Sequence, residues 1–96
     1  MKLRFTRRAT ENIASIAGYI RDHNPAAAVR VRAAIYASLQ NLILFPRVGR
    51  LQKTEGVRKF VTRPYAYIVY YVIDEGADEI ILNVKHPARR REHEDT

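Results

Sequence analysis

The sequence contains no cysteine, has only four glycines, and lacks any apolar run long enough to span a bilayer. Without thiols the chain can neither form a disulfide framework nor use a thiolate as a nucleophile. Four glycines leave little room for a glycine-rich phosphate loop. The chain opens on the polar sequence MKLRFTRR, which is unlike a signal peptide. We therefore expect a cytoplasmic protein with no membrane-spanning segment.

Metal and cofactor chemistry also lack a basis in the sequence. The three histidines, His23, His86 and His93, have neither a helical spacing nor a neighbouring carboxylate pair that would build a tetrahedral site. No serine stands with a histidine and an acid in a nucleophile elbow. We therefore predict no metal and no cofactor.

Positive charge is in excess along the chain. The 96 residues include 17 Lys and Arg against 10 Asp and Glu, which gives a net charge of +7. A field of this strength on a small domain favours polyanionic partners, either nucleic acid or an acidic protein. The length predicts a single domain over residues 1–96, with residues 88–96 as a basic tail that is poorly ordered at its end.

The N-terminus has the pattern of a short strand followed by a helix. Residues 2–6 alternate polar and apolar side chains, as a half-buried strand does. Thr6 or Thr10 can cap a first helix, because either side-chain oxygen can accept from a backbone N–H of the first turn. This helix is expected to end near residues 23–24.

A second helix follows directly. Asn24 can cap it with Pro25 at its first position, and its alanine-rich sequence runs up to Pro46. Two helices joined by so tight a turn form a hairpin, whose apolar side needs a sheet to cover. The predicted buried stripe of this helix is Val31, Ile35, Leu39 and Leu42.

Residues 57–87 are predicted to form the main part of the sheet. The longest of three candidate strands, residues 65–74, is almost entirely aromatic and β-branched. A basic strand at residues 57–62 precedes it, and an apolar strand at residues 79–85 follows it after a turn around Gly76. The order β-α-α-β-β-β predicts an α+β domain.

Basic residues concentrate in the loop after the second helix, in the first strand of this sheet segment and in the tail. Tyrosines of the long strand interleave with them, and this combination suits phosphate contact and base stacking. Alternate tyrosines of the strand can equally be core residues. The residues are Arg47, Arg50, Lys53, Arg58, Lys59, Arg63, Lys85, Arg89, Arg90 and Arg91, with Tyr65, Tyr67, Tyr70 and Tyr71.

Cleavage of RNA would need an acid, a base and cations beside the scissile phosphate. His86 can supply one of these groups, with Arg58, Arg63 and Tyr65 as its partners. Since His86 precedes Pro87 at a strand end, it can equally be a structural histidine. Only geometry decides between these two interpretations.

Several segments, taken in order, form a set that is more specific than any one of them. They are the N-terminal strand leading into the helical hairpin, LFPRVGR at residues 44–50, VRKFV at residues 57–61, Pro64-Tyr65, IVYYV at residues 68–72 and IILNVKHPAR at residues 80–89. This set resembles the RelE/ParE toxin superfamily of bacterial toxin–antitoxin modules and covers nearly the whole chain. The resemblance implies an antiparallel sheet with both helices on one face. It also implies a small, DNA-binding, ParD-like antitoxin that wraps the toxin.

Two activities exist in this superfamily: RelE-like members cleave messenger RNA on the ribosome, and ParE-like members poison DNA gyrase. In the alignment Tyr67 takes the place of an arginine of the nucleases, while Pro87 and His93 fall near their C-terminal arginine and tyrosine. Their lysine pair is matched only in part, by Arg58 with Phe60. The resemblance therefore favours a gyrase-inhibiting toxin that is not an enzyme. A ribosome-dependent messenger RNA endonuclease is the alternative, and a member that only binds its antitoxin is a third hypothesis.

The ParE-like interpretation gives His86 no catalytic role and treats the basic residues as contact residues. Arginines of the loop and tail are expected to touch gyrase, and apolar and basic residues beside the hairpin are expected to touch the antitoxin. The predicted gyrase contacts are Arg47, Arg50, Arg89, Arg90 and Arg91, and the predicted antitoxin contacts are Arg58, Tyr67, Ile20, Ile35 and Leu39.

Overall fold

A computed structural model of the chain describes residues 1–85, with Lys85 described through its backbone. His86 and the predicted basic tail, residues 88–96, lie outside the described residues. Seven elements follow one another along the chain. They are β1 (Lys2–Phe5), α1 (Arg7–Arg21), α2 (Pro25–Leu44), β2 (Arg50–Leu51), β3 (Arg58–Val61), β4 (Ile68–Asp74) and β5 (Glu79–Lys85).

The predicted fold class is confirmed: two helices pack against one face of a sheet. The five strands are ordered β1-β5-β4-β3-β2. Two details differ from the prediction. The sheet is mixed, because β1 runs parallel to β5, and the segment predicted as a loop after α2 contains the short strand β2, antiparallel to β3. Since β2 has only two residues, its sequence carries no readable alternation.

Both helices begin where the sequence predicts. The Thr6 side chain accepts a hydrogen bond from the Ala9 amide at 3.0 Å, so Thr6 and not Thr10 is the cap of α1. The Thr6 hydroxyl also donates to the Leu82 carbonyl at 3.0 Å, which ties the start of α1 to β5. Asn24 caps α2 in the same way, by accepting from the Ala27 amide at 3.1 Å.

The core lies between the helical hairpin and the central strands β4 and β5. Alternate residues of each strand point to the helices, so the two faces of the sheet have different compositions. The helix-facing side chains of these strands include Val69, Tyr71, Ile80, Leu82 and Val84, and each is at most 2% exposed. The predicted stripe of α2 packs against them, together with Ile13 and Ile16 of α1.

The loop between α2 and β2 is fastened to the sheet by Tyr71 and Arg58. The Tyr71 hydroxyl accepts from the Gly49 amide at 2.9 Å and donates to the Pro46 carbonyl at 2.7 Å. Arg58 Nη1 donates to the Arg47 carbonyl at 3.1 Å and to the Gly49 carbonyl at 2.8 Å. We call this group of hydrogen bonds the Tyr71 clamp.

Glycine is required at position 49 because the clamp closes tightly around it. A Cβ atom at Gly49 would lie 2.6 Å from the Tyr71 hydroxyl oxygen and 3.0 Å from the Lys59 carbonyl oxygen. Since one of these neighbours is backbone, the contact cannot be relieved by a rotamer change alone. The added methyl group must displace the loop or the tyrosine.

Gly49→Ala is therefore expected to lower the free energy of unfolding by about 1–3 kcal/mol, the usual cost of overpacking a filled site. Urea unfolding followed by circular dichroism measures it. Gly76→Ala is the matched control, because a Cβ there meets nothing closer than 3.5 Å. Equal effects of the two substitutions would contradict the close approach at Gly49.

The same clamp predicts a loss of stability at alkaline pH. Burial raises the pKa of the Tyr71 hydroxyl above its ordinary 10.0, although the hydrogen bond from Gly49 and the nearby charge of Arg58 lower it. The folded state thus holds the phenol proton more tightly than the unfolded chain. Its contribution is intact below about pH 10 and is lost as the pH rises through the folded pKa. The free energy of unfolding, measured between about pH 8 and pH 11, should show this decline. The Tyr71→Phe variant, which has no phenol proton to lose, should show a shallower decline. A decline of equal steepness in the variant would contradict the assignment to Tyr71.

Candidate functional site

A groove runs between the second half of α2 and the strands β2 and β3, and we call it the α2 groove. It encloses about 890 Å³. Three of its lining residues are cations, Arg50, Lys59 and Arg63, and none is acidic. Its other side chains are apolar or neutral: Ala37, Ser38, Asn41, Val48, Gln52, Phe60 and Val61. Such a lining suits a segment that presents both apolar and acidic side chains.

A second groove of about 650 Å³ lies across the sheet on the face turned away from the helices, and we call it the open-face groove. Strand alternation places Tyr70, Val72, Ile81 and Asn83 on this face, opposite the core residues of the same strands. One wall comes from the segment between β2 and β3, including Gln52 and Lys53. Gln52 lines both grooves, so they meet at this point.

The residues proposed for RNA cleavage do not share a cavity among the described residues. The guanidinium group of Arg58 binds carbonyls of the Tyr71 clamp. Arg63 lines the α2 groove, and its backbone N–H donates to the Ser38 hydroxyl at 3.2 Å. Tyr65 is 38% exposed and lines neither groove. The fourth candidate, His86, lies outside the described residues.

Two of the predicted antitoxin contacts require correction. Ile35 is 1% exposed and Leu39 is 0% exposed, because their side chains fill the space between the hairpin and the sheet. A partner cannot touch them while the core is intact. Ile20 and Tyr67 are half-buried at the edge of that core. Burial raises the pKa of Tyr67, and a neighbouring Tyr65 contributes to the rise, so Tyr67 remains a neutral phenol.

The predicted gyrase contacts fall into two groups. Arg47 and Arg50 are exposed on either side of the Tyr71 clamp, and Arg47 forms an ion pair with Glu75. Arg50 takes part in no ion pair among residues 1–85. Three further predicted contacts, Arg89, Arg90 and Arg91, lie outside the described residues.

Sequence reasoning missed a cluster of exposed apolar side chains at the end of α2. Leu44, Phe45, Val48 and Leu51 are each at least 57% exposed. The signal was available in the helix period, because Leu44 falls two residues after the buried Leu42 and so points away from the core. The role of Arg58 as a loop-binding residue was not visible, since its partners are backbone carbonyls distant in sequence.

Metal binding and membrane insertion were also considered for the residues that the structure describes. Residues 1–85 hold no group of three or more His, Cys, Asp or Glu side chains that could bind a metal ion. Neither of the two helices is long and apolar enough to cross a membrane.

Known proteins with similar sequences and structures point to one family. Residues 3–91 match the family of the ParE toxin of the type II toxin–antitoxin system, parDE. The chain is 33% identical over 85 residues to "Putative toxin Y4kP" of Sinorhizobium fredii (strain NBRC 101917 / NGR234), and the match covers 88% of this chain and 86% of that protein.

A solved structure has the same fold. It belongs to the chromosomal ParDE toxin–antitoxin system from P. aeruginosa and superposes with a TM-score of 0.77. The match covers 90% of this chain and 95% of the other at 19% identity, so this likeness concerns the fold alone. The family match extends over nearly all of the described residues and the relative exceeds 30% identity across most of its length. The chain therefore belongs to the ParE family of toxins of type II toxin–antitoxin systems.

Proposed function

We propose that this protein inhibits DNA gyrase in the cytoplasm and that a cognate ParD-like antitoxin neutralises it. Membership of the ParE family supports the gyrase target, as the resemblance of the sequence already implied. The observation that carries the antitoxin part of the proposal is the α2 groove, whose lining combines apolar walls with the cation Arg63 and no carboxylate, and whose strand edge is formed by Arg50 and Lys59. It offers an antitoxin segment both apolar anchorage and charge complementarity.

The geometry gives less support to the alternative of a messenger RNA endonuclease. Arg58 is occupied by the Tyr71 clamp, and Arg63 faces a different part of the molecule from the open-face groove. In-line cleavage of RNA needs a cation, an acid and a base around one site, and the candidates Arg58, Arg63 and Tyr65 do not gather at one site among residues 1–85. A binding inhibitor needs only surfaces, and the described residues provide them.

The antitoxin contact is proposed to involve the α2 groove and the residues beside it. Val48 lines the groove and is 57% exposed, so it can receive an apolar anchor. Arg63 lies in the same lining and can meet an acidic side chain. Together with Ile20 and Tyr67 at the core edge, these residues replace the buried Ile35 and Leu39 as contacts.

Gyrase inhibition is tested with purified protein, gyrase and relaxed plasmid. Supercoiling should be inhibited and gyrase–DNA cleavage complexes should accumulate. Changing Arg89, Arg90 and Arg91 to Gln should weaken both effects by about tenfold, because it removes three charges that we propose as target contacts and keeps Glu92, Glu94 and Asp95, which a deletion of residues 89–96 would also remove. The control is a variant with Arg8, Arg21 and Arg30 changed to Gln, which removes three exposed charges from the helices.

Unchanged supercoiling at high toxin excess would contradict the gyrase proposal. Primer extension on a translated message provides the second arm of the experiment. Cleavage that disappears in His86→Ala would establish the endonuclease instead. Absence of growth arrest on overexpression, together with inactivity in both assays, would indicate a member that only binds its antitoxin.

Antitoxin binding is tested by charge reversal in the α2 groove. Arg63→Glu should weaken binding of the cognate antitoxin by tenfold or more, roughly the cost of one like-charge contact in an interface. Val48→Asp should act in the same direction by placing a charge against an apolar anchor. Isothermal titration calorimetry measures both, with Arg30→Glu on the exposed side of α2 as the control. If Arg30→Glu lowers the affinity for the antitoxin as much as Arg63→Glu does, the net charge of the protein and not the groove governs binding.

A further inference from the structure

Four side chains form one row across the open face of the sheet. The register pairs Arg50 with Lys59, Lys59 with Tyr70, and Tyr70 with Asn83, on four successive strands. Because paired residues point to the same face, two cations, an aromatic ring and an amide stand side by side. With neighbouring strands about 4.8 Å apart, the row is about 14 Å long. We call it the cross-strand row.

The cationic end of this row works against the stability of the fold. Like charges directly opposite each other on neighbouring strands are destabilising. Neither Arg50 nor Lys59 takes part in an ion pair among residues 1–85, where Arg4, Arg47 and the N-terminus hold the carboxylate partners. Folding alone does not account for this pair, whereas an anion bound between the two side chains would relieve the repulsion.

The other end of the row carries an unsatisfied polar atom. Asn83 Oδ1 is buried and has no hydrogen-bond partner among the described residues. Leaving such an atom unpaired costs free energy, and buried polar atoms without partners are rare in folded proteins. Tyr70 and Asn83 both line the open-face groove, whose volume of about 650 Å³ is within the ordinary range for ligand sites. Since Asn83 lines the groove, a turn of its side chain would bring the amide to a ligand bound there.

We propose that the cross-strand row binds single-stranded DNA. Arg50 and Lys59 contact phosphates, the ring of Tyr70 stacks on a base, and the Asn83 amide bonds a base edge or sugar from within the open-face groove. Cations for the backbone beside an aromatic platform are the combination by which proteins hold unpaired nucleotides. An amide is among the side chains that read base edges. An acidic peptide would use the two cations but would leave the ring and the amide without a role.

The choice of DNA rests on the proposed function, since a gyrase inhibitor meets DNA at its target. The binding itself can be measured without gyrase. If the unsubstituted protein inhibits gyrase but binds no DNA, only the inference about the row is overturned. If the unsubstituted protein binds DNA but does not inhibit gyrase, only the proposed function is overturned.

The test uses fluorescence anisotropy of the full chain with a labelled oligothymidylate of about 12 nucleotides, titrated between about 50 and 200 mM salt. Arg50→Gln and Lys59→Gln should each weaken binding several-fold. Each should also reduce the slope of log affinity against log salt by about 0.7, the value for one phosphate contact on a single strand. Arg30→Gln is the matched control, because it removes one exposed charge from α2 and should change affinity less than about twofold.

The aromatic and amide positions separate specific binding from attraction by net charge. Tyr70→Leu should weaken binding roughly 5- to 100-fold through lost stacking, while Tyr70→Phe should keep wild-type affinity. Asn83→Leu should weaken binding and leave the melting temperature equal or higher, since it removes the unpaired oxygen. A lower melting temperature with unchanged binding would show the amide to be structural and would overturn its assignment.

Three results would overturn the proposal as a whole. One is an equal loss of affinity in Arg30→Gln and Lys59→Gln. Another is undiminished binding in Tyr70→Leu together with efficient competition by a polyglutamate peptide, which would indicate a site for acidic protein. The third is binding of an RNA oligonucleotide of matched sequence with no measurable binding of DNA.

Discussion

The Tyr71 hydroxyl, held between the amide of Gly49 and the carbonyl of Pro46, fixes the position of the chain after α2. It pairs the buried amide of Gly49 and the partly buried carbonyl of Pro46. Because the loop is held in this way, β2 lies along the edge of β3, and Arg50 pairs with Lys59. The outer walls of both grooves therefore depend on one phenol from the centre of the sheet.

Neighbouring tyrosines of β4 have separate roles because a strand alternates its side chains between two faces. Tyr71 faces the helices, is 2% exposed and belongs to the core. Tyr70 faces the opposite side and lines the open-face groove. A slip of one residue in the register of β4 would exchange these roles and would break the clamp as well. The buried clamp thus holds the exposed surface in register.

The elements that the sequence predicted well are those specified by local chemistry. Thr6, Asn24 and Pro25 set the helix starts through hydrogen bonds to amides three residues away, or through a fixed φ, and these are visible in a linear sequence. The α+β class followed from periodicity in the same way. The parallel pairing of β1 with β5 was not predictable, because those strands are more than 70 residues apart and neither one specifies its partner.

The candidate site was harder to predict because its residues are defined by their neighbours across strands. Arg58 and Arg50 have the same residue type, but Arg58 points to the helix side and binds loop carbonyls, whereas Arg50 is exposed. Ile35 and Leu39 were correctly placed on the apolar stripe of α2. Both side chains are buried in the core, so neither is accessible to a partner. The sequence shows which positions are charged and which are apolar. The pairing of the strands is needed to tell which charged side chains are exposed to a partner and which bind other parts of the fold.

The two proposed surfaces are not independent, because they share their cations. Arg50 and Lys59 line the α2 groove and also form the basic end of the cross-strand row. Strand register points both side chains to the open face, so an acidic antitoxin segment that continues from the groove around the edge of β2 would neutralise the same two charges that a DNA phosphate would need. Binding of either partner must then weaken binding of the other by the same factor, since coupling between two sites is reciprocal. If both proposals hold, the antitoxin can weaken DNA binding at the open face of the sheet without covering Tyr70 or Asn83.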